Sequence, residues 1–147
     1  MQRNIQILFT LIFLNLSLLN FSFVFGQTVE YRSFLSTALG ETKNVNVYLP
    51  PGYSTSPNTF YPVIYYYHGW SGDEGYISTI ASVAEDMIPN EIDPCIIVCP
   101  SNNPNDYFDG TMYLNSPVWK DYEDYNTQDV IKTHRQATYN HNRESNP

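Results

Sequence analysis

The residues best suited to chemistry crowd into one short stretch. Tyr65-Tyr66-Tyr67-His68-Gly69-Trp70-Ser71-Gly72-Asp73-Glu74-Gly75 leads an aromatic, strand-like segment into a glycine-rich loop and on towards a helix. A histidine there invites a catalytic reading, and Ser71 lies close by. A serine nucleophile, however, needs the G-x-S-x-G frame that presents its hydroxyl on a sharp strand-to-helix turn. Ser71, Ser101 and Ser116 all lack it, and so does every other serine in the sequence. Taken alone, H-G-x-x-G also fits a plain tight turn between a strand and a helix.

Other constellations carry less. Cys95 and Cys99 sit in Pro94-Cys-Ile-Ile-Val-Cys-Pro100, which reads as a buried strand. Four strand residues span about 13 Å, beyond the roughly 7 Å that a disulfide tolerates between Cα atoms, so the two thiols are expected to stay free. No histidine or second cysteine pair stands at zinc-site spacing, and no metal is expected. The acidic run Asp121, Glu123, Asp124 and Asp129 lacks the alternating oxygen ligands and central glycine of a calcium loop, and is expected to be a solvated helix start. Among 13 tyrosines, Tyr107 and Tyr113, together with Trp70 and Trp119, fall in loops where aromatic faces could stack on sugars.

The elements that must hold these residues can be read from periodicity. Thr28 to Ser36 and Asn44 to Leu49, the latter alternating at Val45, Val47 and Leu49, form a hairpin about Leu39-Gly40-Glu41. Pro62 to Tyr67 is a nearly continuous apolar run, as in strands covered on both faces. Ile77, Ile80, Ala81, Ala84, Met87 and Ile88 recur at helical spacing and stop at Pro89, with Asp73 and Glu74 favourably placed near the positive end of the helix. The strand Cys95–Cys99 follows. Strand, helix and strand at this spacing make a βαβ unit with parallel pairing, so the fold class is α/β. Ser101 to Lys120 reads as a long loop, and Asp121 to Lys132 as a further helix. Thr133 to Pro147 is polar and offers almost nothing to bury.

Four pieces in order resemble an α/β-hydrolase family, the group of esterase D, feruloyl esterases and enterochelin esterases. They are Asn46-Val47-Tyr48-Leu49-Pro50-Pro51-Gly52-Tyr53, Tyr61-Pro62-Val63-Ile64-Tyr65 with His68-Gly69, Ile96-Ile97-Val98-Cys99-Pro100, and Trp119-Lys120-Asp121-Tyr122-Glu123. The resemblance runs from about Arg32 to Lys132. It implies a partial α/β-hydrolase sheet in residues 27–132, a hairpin plus a βαβ unit that stops before the nucleophile strand. It also implies that the His-Gly loop offers a backbone NH to the oxyanion formed when a serine attacks an ester carbonyl. By position, Trp70 supplies that NH, Gly69 shapes the turn, and His68 supports the loop by hydrogen bonding and does not act as the base. The triad serine, acid and histidine have no counterparts here: neither His134 nor His141 follows a nucleophile and an acid in order. The family's nucleophile strand pairs beside the Pro62–Tyr67 strand, so without it Val63 to Tyr67 should form an apolar edge prone to aggregation. The tail, residues 133–147, diverges from the family, and a frameshift near Thr133 would account for it.

The N-terminus and the composition bound the setting. After Arg3, Ile5 to Phe25 is an apolar stretch ending in Val24-Phe25-Gly26, which reads as a signal peptide, residues 1–26, cleaved before Gln27. An uncleaved anchor is the rival reading, because about 20 apolar residues also span a bilayer. Either way the rest works outside the cytoplasm, secreted or periplasmic. A net charge of −8 and the absence of any Lys/Arg cluster oppose nucleic-acid binding. Three readings remain: part of a secreted serine esterase acting on acyl or feruloyl-type esters without a cofactor, a non-catalytic carbohydrate-binding module using loop aromatics, or a half-enzyme completed by a second chain.

Overall fold

The computed structural model describes residues 28–56, 59–88, 90–103 and 111–134. The expected signal peptide, Tyr107 and the tail beyond His134 lie outside them. Two eight-residue strands open the fold, β1 (Thr28–Leu35) and β2 (Thr42–Leu49). Their antiparallel register pairs Thr28 with Leu49 and Leu35 with Thr42, so β2 begins two residues before the expected start at Asn44. The turn between them closes through Ser36 N to Glu41 O (2.9 Å) and Gly40 N to Ser36 O (3.0 Å), with Gly40 at φ 66°.

A three-residue strand β3 (Val63–Tyr65), the helix α1 (Ile77–Met87) and the strand β4 (Ile96–Pro100) form the expected βαβ unit, β3 pairing parallel to β4. The sheet order is β1-β2-β4-β3, and β2 runs antiparallel to β4 with Val47 opposite Val98. Alternation along β2 and β4 divides the interior into two cores. Tyr48, Ile97 and Cys99 face α1, where Ile77, Ala81 and Ala84 meet them at helical spacing. Val45, Val47, Leu49, Ile96 and Val98 face the other way, onto Tyr122, Tyr125 and Val130. The molecule is therefore layered helix on sheet on helix, the arrangement of an α/β fold.

The second covering helix begins as α2 (Tyr122–Asp124), widens into a π-helical segment (Tyr125–Val130) and stays helical to His134. Where it widens, side chains occupy backbone carbonyls: Asn126 Nδ2 donates to Tyr122 O (2.7 Å) and Thr127 Oγ1 to Glu123 O (2.8 Å). A two-strand ladder precedes it, β5 (Asn115–Ser116) against β6 (Lys120–Asp121), inside what reads from sequence as plain loop. That ladder places Asn115 Oδ1 to accept from Glu123 N (2.9 Å) and Asp124 N (3.2 Å), capping the helix from outside its own turn.

Three expectations need correction. The Pro62–Tyr67 run is not covered on both faces. Only Val63–Tyr65 is strand, and it is the edge of the sheet, as the resemblance implied and the apolar run alone did not; Ile64 is 48% exposed because no strand flanks its outer side among the described residues. The acidic run is not wholly solvated: Asp129 Oδ2 accepts from Ser36 Oγ (2.6 Å) and Ala38 N (2.9 Å), tying the π-helical segment to the hairpin turn. Nor is the start of the tail without anything to bury, since His134 lies buried with its ring edge-on to Tyr65, centroids 6.3 Å apart.

That burial has a pH signature. Desolvation first, then the Arg32 charge, depresses the His134 pKa to about 4. The unfolded chain takes up this proton near the ordinary value of about 6.5, so it binds more protons than the folded chain between those two values. Stability from this group is complete above pH 6.5 and declines as pH falls towards 4. About 2 kcal/mol should be lost between pH 7 and pH 5. Urea unfolding at both pH values should show that difference, and His134→Phe should abolish most of it.

Both cysteines are free and buried, as the strand reading expects. Burial pushes the Cys95 thiol up, and burial together with the nearby Glu74 and Asp73 carboxylates raises Cys99 to about 12. The thiolate is the reactive form. At pH 8 neither thiol should react with a disulfide reagent within minutes in the native chain, and both should react at once in guanidinium.

Candidate active site

The His-Gly loop starts where β3 stops. Tyr66 N still donates to Val98 O (2.8 Å), after which the chain leaves the sheet at its C-terminal edge, the place where open α/β sheets hold ligands. Gly69 to Gly72 form a tight turn, Gly72 N to Gly69 O at 3.0 Å. Ser71 at φ 59° sits in the third position, as in a type II turn. Trp70 takes the second position, and its side chain is 60% exposed. A Cβ on Gly69 would meet nothing within 4 Å. The close approach is at Gly72, where a Cβ would press on Gly69 O at 3.0 Å and on His68 Cβ and Nδ1 at 3.1 Å.

His68 is 2% exposed and fixes this turn from beneath. Its Nδ1 donates to Gly69 O (3.0 Å), and Nε2 accepts from Asn102 N (3.4 Å), partners that assign the ring proton to Nδ1. Its carbonyl accepts from the Tyr113 hydroxyl. Met112 and Tyr113 both adopt left-handed φ (56° and 59°), a strained pair for non-glycine residues. That conformation sets the Tyr113 ring against Tyr67 (5.2 Å between centroids) and His68 (6.2 Å). Tyr113 is thus a latch on the loop and not a free platform.

Behind His68 lies a polar network that the sequence does not announce. Asn102 Nδ2 donates to Pro100 O (3.1 Å), and Asn126 Nδ2 donates to Asn102 Oδ1 (2.8 Å), so the end of β4, the His-Gly loop and the π-helical segment share one buried set of amides. Further along, Lys43 Nζ donates to Asn103 O (2.6 Å) and to Tyr122 Oη (3.2 Å), with Glu41 3.7 Å away. Burial lowers the Lys43 pKa, against the opposing charges of Glu41 and Glu74. On the α1 side, Glu74 accepts from Asn44 Nδ2 (2.9 Å) at its carboxylate and from Asn46 Nδ2 (3.1 Å) at its carbonyl. Burial raises the Glu74 pKa, but hydrogen bonds outweigh it and the net shift is downward. Among the described residues no three His, Cys, Asp or Glu side chains cluster as metal ligands.

The sequence matches the family named Esterase over residues 36–143, more than half of the chain. The chain belongs to that esterase family. A curated relative, endo-1,4-beta-xylanase Y of Acetivibrio thermocellus, is 36% identical over 56% of this chain, which spans 10% of that protein. Solved structures share the fold of this esterase-family chain. A ferulic acid esterase superposes with a TM-score of 0.70 at 21% identity, covering 78% of this chain and 45% of its own. S-formylglutathione hydrolase from Agrobacterium tumefaciens gives 0.60 at 19%, with 76% and 44% covered. The feruloyl esterase module from Clostridium thermocellum complexed with sinapinate gives 0.56 at 23%, with 75% and 36% covered. The chain therefore spans less than half the length of these structures, over the mixed sheet and helices of an α/β-hydrolase. Among the described residues no helix is long and apolar enough to cross a membrane.

Proposed function

We propose that these residues form the oxyanion-side portion of a secreted carboxylic-ester hydrolase, with the Trp70 amide as one oxyanion donor, Gly69 opening the approach and His68 as the positioning residue. The observation that carries this reading is the turn itself. A buried histidine holds Gly69 to Gly72 at the C-terminal edge of the sheet, and Gly69 leaves open space where a Cβ would stand. Membership of the esterase family supports it. A backbone donor fixed before substrate arrives stabilises the tetrahedral oxyanion without reorganisation. The nucleophile, its acid and its general base are not among these 147 residues in the required frame and order, so turnover needs them from elsewhere. The substrate class is a carboxylic ester, acyl or feruloyl-type, outside the cytoplasm.

The test deletes the amide alone. Proline is tolerated at the second position of a type II turn and has no N–H, so Trp70→Pro removes the donor while keeping the turn. The chain by itself should hydrolyse p-nitrophenyl acetate no faster than buffer. Paired with a polypeptide supplying the rest of the sheet and its G-x-S-x-G turn, acid and histidine, it should become active. In that assembly Trp70→Pro should lower kcat by about 10²–10³, the loss typical of one oxyanion donor, and Trp70→Ala should keep most of it. Equal activity for Trp70→Pro and the parent, or activity that never depends on this chain, would sink the reading.

A further inference from the structure

A second concavity, distinct from the His-Gly turn, lies on the α1 face of the hairpin. β1 and β2 set Tyr31 opposite Asn46 and Ser33 opposite Asn44, so all four side chains share that face of the sheet. Helix α1 does not extend over them. In its place the 3-10 turn Glu74–Tyr76 and its cap Asp73 wall one side, leaving a groove of about 400 Å³. The size suits one or two sugar rings.

The lining combines one aromatic ring with several polar groups. Tyr31 presents an aromatic ring, 73% exposed, at one flank. Asn46 is almost wholly buried at the floor. Its Nδ2 is engaged by Glu74 O, while its side-chain oxygen has no hydrogen bond among the described residues. Asn44, Ser33, Asp73 and Glu74 add carboxamide, hydroxyl and carboxylate groups around it. One aromatic face for C–H contact, with planar amides and carboxylates that donate to and accept from neighbouring hydroxyls, is the chemistry that binds a pyranose. Asp73, Glu74 and the net charge of −8 oppose an anionic ligand, and Arg32, the cation at the rim, is already paired with Glu30. We infer that this groove is a glycan-binding subsite for a neutral pyranosyl chain, with Tyr31 as its stacking platform. The inference does not rest on ester hydrolysis and stands or falls without it.

Saturation-transfer NMR on the purified chain with xylotetraose, cellotetraose and mannotetraose tests it, the three arms separating sources of the same ring chemistry. At least one should bind, and Tyr31→Ala should weaken that binding at least tenfold with an unchanged melting curve, since the side chain is exposed on an edge strand. Asn46→Asp, which adds a buried charge, should also weaken binding, and Trp70→Ala should leave it unchanged. No binding to any of the three, equal binding by Tyr31→Ala, or loss in Trp70→Ala alone would overturn the assignment.

Discussion

Tyr125→Ala should cost about 4 kcal/mol, the loss typical of truncating a fully buried aromatic ring. The ring is fully buried at the head of the π-helical segment, stacked on Phe34 (centroids 5.9 Å, planes 11° apart) and edge-on to Tyr122 (5.8 Å). Truncation removes the ring packed between Phe34 of the hairpin and Tyr122 of the covering helix, and a cavity between a sheet and a helix collapses only partly. Tyr125→Phe should do the reverse. The hydroxyl is buried with no hydrogen bond among the described residues, so deleting it removes a desolvation cost and should raise stability by up to about 1 kcal/mol. Urea unfolding of the two variants separates ring from hydroxyl. If both fall equally, an unseen partner for the hydroxyl must exist, and the packing account is wrong.

His68→Ala is expected to lose about 2 kcal/mol, for a different reason. The substitution removes little apolar area but strands the buried Asn102 N–H, and an orphaned buried group carries its full desolvation cost, while Gly69 O keeps its bond from Gly72 N. His68→Asn, whose carboxamide can still donate from near the Nδ1 position but cannot reach Asn102 N, should fall between. A loss below 1 kcal/mol in the alanine variant would show that the loop does not depend on the ring.

Much of the scaffold was legible because it follows from local periodicity. Val45, Val47 and Leu49 announced a strand, though it is covered on both faces and not on one as the alternation suggested, Ile77, Ala81 and Ala84 a helix face, and Ile96 to Cys99 a strand buried on both sides. What stayed hidden depends on who the neighbours are. Val63 to Tyr65 reads as a central strand by composition, and only the family resemblance pointed to an edge, because exposure is set by the flanking strand and not by the residues themselves. The antiparallel β2–β4 pairing has no signature in either segment. At the site, His68 and Gly69 stood out as a motif, while Asn102 and Asn126 did not. Asparagines are common loop and helix-end residues, and a separation of 24 positions leaves no spacing to recognise. Asp129 and His134 were hidden likewise, as polar residues whose burial only the hairpin explains.

The two cores also differ in when they can close during synthesis. Everything that packs on the α1 face, from Val29 to Cys99, is in hand once β4 has emerged. The opposite face waits for Tyr122, Tyr125 and Val130, so Val45, Val47, Leu49, Ile96 and Val98 stay bare while the intervening loop is made. A half-finished sheet with one sealed and one open side is a natural client for a holding chaperone. The Ser36–Asp129 clasp can form only when that second side has been made.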